Sequence, residues 1–292
     1  EGLTDRRPGA TVGHGERWGE ATGRWRWTVG GGGDPMGMAR VGVATGTALT
    51  GAGAGLAAEL VWAGRRPLPE FPDIDVSGVV PASAPSGKPP LRVVVLGDST
   101  LTGPGLAAPE DIWLRQAIRR LRLRRAVCVV SLAVGGSRVS DVAARVDEAA
   151  VLKPDLAVVA VGSNDVIRGV PVQTLARKLG SVVDSLLDAA PVVAAANMGD
   201  LGNVLRFPAP LNIVLHMRSR QAARAIGATI ERRRRAVLLD VTRSNPAFRD
   251  PGVFVADRFH PNAAGHAAWA DSALPGMRLA FDRLFTGHSS PG

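Results

Sequence analysis

Several residue types are scarce in this chain of 292 residues, and each scarcity excludes a class of protein. A single cysteine, Cys128, excludes an intrachain disulfide framework and any cysteine-based zinc site. Tyrosine is absent and aromatic residues make up 4% of the chain, so a surface that stacks nucleic-acid bases is not expected. Charged residues amount to 21% and hydrophobic residues to 46%, which excludes a wholly disordered chain.

Lysine is also rare, with three residues, so arginine supplies almost all of the positive charge behind the formal net charge of +9. Residues 1–35 hold five positive and five negative side chains, and the excess therefore belongs to residues 36–292. Much of it lies in two clusters, residues 115–125 and 232–235, near the ends of predicted helices, where cations favour the helix dipole. We interpret both clusters as solvated faces and expect no nucleic-acid partner.

The first 35 residues show neither a helical nor a strand period and include the glycine run Gly30–Gly33. We interpret residues 1–35 as a disordered leader that does not belong to the native protein. On this hypothesis the natural start is Met36 or Met38, which stand just before an apolar stretch.

Residues 36–64 form an apolar segment whose length is typical of a signal-peptide core or an uncleaved anchor. We expect export or membrane anchoring through residues 41–63, with a cytoplasmic protein as the alternative. The following residues, 65–90, contain seven prolines. A segment of that composition is stiff and extended, so we interpret it as a linker that precedes the folded domain.

Residues 91–286 are predicted to form one α/β domain, and residues 287–292 a disordered tail. Short apolar runs alternate with amphipathic stretches, which favours a parallel sheet covered by helices on both faces. The predicted strands are Leu91–Leu96, Ala126–Leu132, Leu156–Val161, Val192–Ala196 and Ala236–Leu239. The predicted helices are Asp111–Leu123, Arg138–Ala149, Pro171–Leu187, Leu215–Arg232, Ala263–Leu274 and Gly276–Leu284, with Pro275 between the last two.

Polar residues and glycines follow three of these strands, at the sheet edge where parallel α/β proteins bind ligands. Gly97-Asp98-Ser99 follows the first strand, and a serine there can expose its hydroxyl among backbone N–H groups. Gly135 and Gly136 follow the second, where glycine lets a backbone N–H approach a ligand closely. Asn164 follows the third and can donate a hydrogen bond to an oxyanion. Taken alone, the Gly97–Ser99 and Gly135–Gly136 motifs are more typical of an ordinary turn or loop than of a catalytic site.

Asp257 and His260 lie three residues apart near the C-terminal end. Histidine is the natural general base for a serine, and an aspartate can fix its tautomer and stabilise the imidazolium. A serine, a base with its carboxylate and convergent N–H donors are together the parts needed for acyl transfer. This chemistry requires no metal and no organic cofactor.

On these residues the sequence resembles the SGNH hydrolase superfamily of GDSL-type esterases and lipases. The matching blocks are Gly97–Ser99, Gly136, Gly162–Asp165 and Asp257–His260, in the family's order. The resemblance implies a three-layer α/β/α sandwich with a parallel five-stranded, flavodoxin-like sheet. Ser131 departs from the family's pattern, which often has asparagine at that point.

The resemblance also implies the roles of individual residues. Ser99 would be the nucleophile, His260 the base and Asp257 its partner. The oxyanion hole would consist of the backbone N–H of Ser99, the backbone N–H of Gly136 and the side chain of Asn164. The departure at residue 131 leaves open whether Gly135 or Gly136 donates, and the offset from the strand favours Gly136.

The function implied is that of a serine esterase or acylhydrolase acting on a small ester or lipid substrate. The loop after the fourth strand offers Met198, Leu201 and Phe207 as acyl-binding residues, although the same side chains suit a packed loop. Two alternatives remain: an acyltransferase or deacetylase that acts on cell-envelope carbohydrate, and a non-catalytic binding module. Nothing in the sequence determines the oligomeric state.

Overall fold

The computed structural model describes residues 69–84 and 87–287, together with residues 55, 58 and 59. The predicted leader 1–35 lies outside the described residues, as do most of the apolar segment 41–63 and the tail beyond residue 287. In the part of the chain that is described, no helix is long and apolar enough to cross a membrane.

Six strands form one sheet in the order β1-β3-β2-β4-β5-β6. The five strands β2 to β6 run parallel and are the five that the sequence predicts. Their spatial order is flavodoxin-like, which confirms the predicted fold class. The strands are β1 (Gly78–Val80), β2 (Leu91–Gly97), β3 (Val127–Ser131), β4 (Leu156–Ala160), β5 (Val192–Ala196) and β6 (Ala236–Leu239).

The sixth strand, β1, corrects the predicted count of five. It lies in the proline-rich segment 65–90, and it pairs antiparallel with β3 at the edge of the sheet. Val76, two residues before it, and Val80, its last residue, are buried in the core. Prolines are tolerated around an edge strand because one side of that strand makes no ladder hydrogen bonds.

Arg115 stabilises the edge of the sheet formed by β1. Its burial shows that the prediction of a wholly solvated arginine cluster over residues 115–125 is wrong for this residue. The side chain is buried, and its guanidinium donates to the carbonyl oxygens of Val76, Ser77 and Val79 at 3.3–3.4 Å. It also forms a salt bridge with Glu110 at 3.0 Å. The guanidinium therefore satisfies backbone acceptors that the short strand leaves unpaired.

The helices cover both faces of the sheet. Helices α2 and α8 pack on the face that Val93 and Val95 present, and α3, α4, α6 and α7 pack on the face of Val94 and Leu96. Alternate residues of one strand thus enter two separate cores, which is why the strands are continuous apolar runs. The helices are α1 (Ser99–Thr102), α2 (Trp113–Leu121), α3 (Val139–Ala143), α4 (Val146–Val151), α5 (Ser163–Ile167), α6 (Val172–Ala189), α7 (Leu211–Glu231) and α8 (Ala263–Gly287).

Two helix predictions need correction. The single helix predicted over Arg138–Ala149 is two short helices, α3 and α4. Conversely, α8 continues through Pro275, where the sequence predicts a break. An interior proline costs a helix about 3 kcal/mol. Here the loss is offset by packing, because Met277 and Ala280 are fully buried beyond the proline.

Candidate active site

Ser99 is the first residue of α1 and stands directly beyond the end of β2. The preceding Gly97 approaches β4 so closely that a Cβ atom there would lie 2.1 Å from the carbonyl oxygen of Ala160. Only glycine fits such a contact, and the strand can therefore deliver Ser99 to the sheet edge. Within the described residues the backbone N–H of Ser99 has no acceptor, which leaves it available to a ligand.

Asp98 caps this short helix from a fully buried position. Its Oδ1 accepts the backbone N–H of Thr100 at 3.0 Å, while its Oδ2 has no partner in the described part of the protein. Burial raises the pKa of the Asp98 carboxyl to about 6, although hydrogen bonds from Thr100 and the charge of His260 act in the opposite direction. The carboxyl of Asp98, next to Ser99 in the chain, is thus ionised at neutral pH, and its ionisation in a buried position lowers the free energy of unfolding.

Replacing Asp98 by asparagine should therefore stabilise the protein at alkaline pH. A carboxyl that titrates near 6 when folded and near 3.9 when unfolded costs the fold about 3 kcal/mol once it is ionised. The penalty is absent below about pH 4, where the group is protonated in both states, and it is complete above pH 6 to 7. Asparagine keeps the Oδ1 acceptor for Thr100. We expect urea unfolding at pH 8 to show a gain of up to about 3 kcal/mol.

Asp250 supplies the matched control for this measurement. It caps a 3-10 helix through the N–H of Gly252 at 2.8 Å, but it is exposed. Asp250→Asn should leave the free energy of unfolding nearly unchanged at both pH 4 and pH 8. A gain for Asp98→Asn that did not depend on pH would contradict the assignment of the effect to ionisation.

Gly135 and Gly136 follow β3, and their backbone N–H groups differ in their hydrogen bonding. The N–H of Gly135 donates to the Asp73 carboxylate at 2.8 Å, whereas the N–H of Gly136 has no acceptor among the described residues. Gly136 also has a φ of 76°, in the region that favours glycine. These contacts support Gly136 rather than Gly135 as the donor that faces a ligand.

Asn164 lies at the start of α5, directly beyond β4. Its Nδ2 donates to the carbonyl oxygen of Ser137 at 3.0 Å, which ties the side chain to the loop that carries Gly136. An amide nitrogen carries two hydrogens, so one remains for a ligand. The neighbouring Asp165 is buried and accepts the N–H of Val139, which is the structural role that its position suggests.

Asp257 and His260 form a hydrogen-bonded pair in the loop before α8. The distance between Asp257 Oδ2 and His260 Nδ1 is 2.6 Å, and Asp257 Oδ1 accepts the backbone N–H groups of Phe259 and His260. Burial of Asp257 would raise the pKa of its carboxyl, but these three hydrogen bonds outweigh burial and lower the pKa. The carboxylate thus stays ionised and fixes the tautomer in which Nε2 of His260 is free to accept a proton.

The loop that holds this pair is tightly turned. Arg258 has a φ of 59°, which is unusual for a residue with a side chain. Backbone hydrogen bonds from Arg258 to Val255 and from Val255 to His260 maintain the turn. The left-handed conformation of Arg258 turns the backbone sharply. The carboxylate of Asp257 can therefore reach the imidazole of His260, three residues further along the chain.

His266 is excluded as the base by its surroundings. It is 1% exposed, and its Nδ1 accepts the backbone N–H of Trp113 at 3.2 Å, so it caps α2. Burial lowers the pKa of His266 to about 3 and keeps the ring neutral. His266 is therefore a packed residue that caps a helix.

A cavity of about 70 Å³ brings Ser99 and His260 together. Its other walls are mostly apolar and include Leu201, Val204 and Trp269, while the side toward Asp200 and Asn245 is polar. Of the three predicted acyl-binding residues, Leu201 alone lines it. Met198 lines a smaller neighbouring cavity beside Asp98, and Phe207 packs edge-on against Phe259 with the ring centroids 5.8 Å apart.

Four aromatic residues in the cavity wall are missing from the sequence prediction, and all belong to the segments around His260. Aromatic residues are few in this chain, so their concentration on both sides of the Asp257–His260 block is the signal that could have revealed them. They are Phe248, Phe254, Phe259 and Trp269.

Comparison with known proteins identifies the family of the chain. Residues 95–268 match the GDSL-like Lipase/Acylhydrolase family. A GDSL-like esterase of Mycobacterium tuberculosis is 29% identical in an alignment of 202 residues that covers 65% of this chain. The aligned part covers 62% of that relative's length.

Solved structures share the fold. TesA superposes with a TM-score of 0.53 at 20% identity, over 65% of this chain and 99% of its own. A catalytic mutant of the acetylxylan esterase Axe2 from Geobacillus stearothermophilus gives a TM-score of 0.52 at 21% identity, over 67% of this chain and 96% of its own. Because the family match spans more than half of the sequence, the resemblance is confirmed, and the chain belongs to the GDSL-like lipase/acylhydrolase family of carboxylic ester hydrolases.

Proposed function

We propose that this protein hydrolyses carboxylic esters through an acyl-enzyme intermediate on Ser99. One observation carries the proposal: His260, joined to Asp257 at 2.6 Å, lines the same largely apolar cavity as the serine that opens α1. A nucleophile, a base and a carboxylate that orients the base are the requirements for covalent acyl transfer.

Acylation begins when Nε2 of His260 removes the hydroxyl proton of Ser99 as Oγ attacks the ester carbonyl carbon. The carbonyl oxygen becomes an oxyanion, which accepts hydrogen bonds from the N–H groups of Ser99 and Gly136 and from Nδ2 of Asn164. One such preorganised donor lowers the barrier by about 3–4 kcal/mol. The tetrahedral intermediate then breaks its bond to the alcohol oxygen, which leaves with the proton from His260.

Deacylation repeats these steps with water in place of the serine. His260 removes a proton from the water molecule, and the resulting hydroxide attacks the acyl carbon. Ser99 regains its proton from His260 as the carboxylic acid departs. Throughout both steps the ionised Asp257 stabilises the imidazolium form of His260.

The size of the acyl cavity predicts a preference for short chains. Its volume of about 70 Å³ is far below the roughly 300–1,000 Å³ of pockets that enclose drug-sized ligands. We expect kcat/KM for p-nitrophenyl acetate and butyrate to exceed that for the dodecanoate by about tenfold or more, because the longer chain must leave the cavity and stay in water. The measurement is the initial rate of p-nitrophenol release across the series.

Two results would count against these statements, and they are separable. An optimum at ten to twelve carbons would overturn the assignment of the cavity but not the catalytic residues. No hydrolysis of any ester in the series would overturn the proposed function itself.

The acyltransferase and carbohydrate deacetylase alternatives use the same catalytic residues. A transferase differs in the acceptor that attacks the acyl-enzyme, so added alcohols or sugars would divert the acyl group from water. A deacetylase differs only in the alcohol that leaves. Product analysis with competing acceptors in the same assay separates the first alternative from hydrolysis.

A further inference from the structure

A second, larger cavity lies beside the acyl cavity. It is a groove of about 640 Å³ between α7 and the segments that follow β5 and β6. Asp200 and Asn245 line both the groove and the acyl cavity, so the two share a wall. The mechanism proposed above makes no use of this groove.

The groove presents arginine side chains that have no partner within the described residues. His216, Arg220 and Arg224 are spaced four residues apart along α7 and therefore share one face of the helix. Arg249 faces them from the segment after β6. Within the described residues, none of the three arginine side chains makes a hydrogen bond or an ion pair. Three unpaired guanidinium groups along one groove are suited to an anionic ligand.

The carboxylates in the same groove are largely occupied by internal contacts. Asp200 Oδ2 contacts His216 Nδ1 at 2.6 Å, and its Oδ1 accepts the N–H of Gly202. Asp240 Oδ1 accepts hydrogen bonds from Asn197 and Thr242 at 2.6–3.0 Å. Glu231, seven residues beyond Arg224 at the end of α7, is the carboxylate of the groove whose side chain has no hydrogen bond or ion pair within the described residues. Because Asp200 and Asp240 accept internal hydrogen bonds, one free carboxylate stands against three free arginines, and an anion is favoured over a neutral sugar.

His216 adds a directed hydrogen-bonding group to this wall. Its Nδ1 faces Asp200, so Nε2 is the ring nitrogen that remains for a ligand, and the side chain is 43% exposed. Nε2 accepts a hydrogen bond in the neutral ring and donates one in the imidazolium, so it can bond to a protonated or an ionised phosphate oxygen beside the arginine donors.

We propose that the groove binds a phosphate group carried by the ester substrate, so that the natural substrates are phosphorylated short-chain esters. The inference rests on the proposed function, because the groove matters to catalysis only through its shared wall with the cavity of Ser99 and His260. Arg220, Arg224 and Arg249 bind the phosphate oxygens, and His216 orients the group.

A matched pair of substrates tests the proposal. Glycerol monoacetate and 1-acetylglycerol 3-phosphate differ only in the phosphate, and acid release gives kcat/KM for each. We expect the wild type to prefer the phosphorylated ester, and the double variant Arg220→Gln/Arg224→Gln to lower the ratio of the two efficiencies by about tenfold. Arg234→Gln, an exposed arginine outside the groove, is the control and should keep the wild-type ratio.

Binding to a variant that cannot turn over separates this inference from the proposed function. Calorimetry with the Ser99→Ala protein should show saturable binding of glycerol 3-phosphate, weakened about tenfold in the presence of the two arginine substitutions. Glycerol should not bind measurably, and succinate should bind more weakly than glycerol 3-phosphate.

Each contrary outcome has its own meaning. Absence of glycerol 3-phosphate binding, equal binding by the arginine variant, or equal binding of succinate would overturn the phosphate groove. Binding of glycerol 3-phosphate by a protein whose wild type hydrolyses neither acetate ester would support the groove and overturn the proposed function.

Discussion

Replacement of Ser99 by alanine is expected to lower kcat for ester hydrolysis by about five orders of magnitude, while KM changes little. The substitution removes only the hydroxyl group, so the oxyanion donors and the acyl cavity remain. Ser99 lines the cavity together with His260 at the first turn of α1, and its side chain is not required for the cap that Asp98 provides. The measurement is steady-state hydrolysis of p-nitrophenyl acetate at fixed pH.

Ser181 supplies a matched serine control. Its hydroxyl donates to the carbonyl oxygen of Arg177 on the exposed face of α6, far along the chain from the site. Ser181→Ala should retain the wild-type rate. Intact-mass analysis after treatment with an ester-like phosphonate adds a direct readout, since only proteins with Ser99 should gain the adduct. Full activity in Ser99→Ala would remove this residue from the mechanism.

Asp257→Asn is expected to lower kcat by about 10⁴-fold. The carboxylate holds Nδ1 of His260 at 2.6 Å and thereby leaves Nε2 free to accept the serine proton in the proposed mechanism. An amide can present its NH₂ group to Nδ1 instead, which stabilises the opposite tautomer and leaves Nε2 protonated and unable to act as a base. The backbone N–H groups of Phe259 and His260 can still bond to the amide oxygen, so the loop should keep its turn.

The pH profile distinguishes this role from a merely structural one. If Asp257 sets the tautomer, kcat of Asp257→Asn should recover at alkaline pH, where hydroxide replaces the general base. Asp250→Asn, earlier in the same connection, should behave like the wild type in both rate and pH profile. A loss of activity that was accompanied by unfolding, or that was equal at every pH, would show that Asp257 acts only through the structure of the loop.

The proposed catalytic residues could be predicted from the sequence because each belongs to a short block with a local physical requirement. Gly97 must be glycine because a Cβ atom there would lie 2.1 Å from a neighbouring carbonyl oxygen, and this places Ser99 in a recognisable setting. Asp257 and His260 are close in sequence, so their pairing requires only one turn of the backbone. Blocks of this kind predict the site without knowledge of long-range contacts.

Other parts of the site depend on residues that are distant in sequence. Whether Gly135 or Gly136 faces the ligand is decided by Asp73, which takes the N–H of Gly135 from a segment some sixty residues away. Arg115 looks like one member of a solvated cluster, yet it is buried against β1. Neither contact leaves a local pattern in the sequence.

The sequence by itself determined the five parallel strands, because hydrophobic periodicity is a local property of the chain, and its four short motif blocks pointed to the family. The tertiary structure decided which side chains line the cavity beside Ser99 and which arginines of α7 face an open groove next to it. It also carried α8 through Pro275 and added β1 to the sheet edge. In each of these cases burial against a distant element outweighs the local preference of the chain.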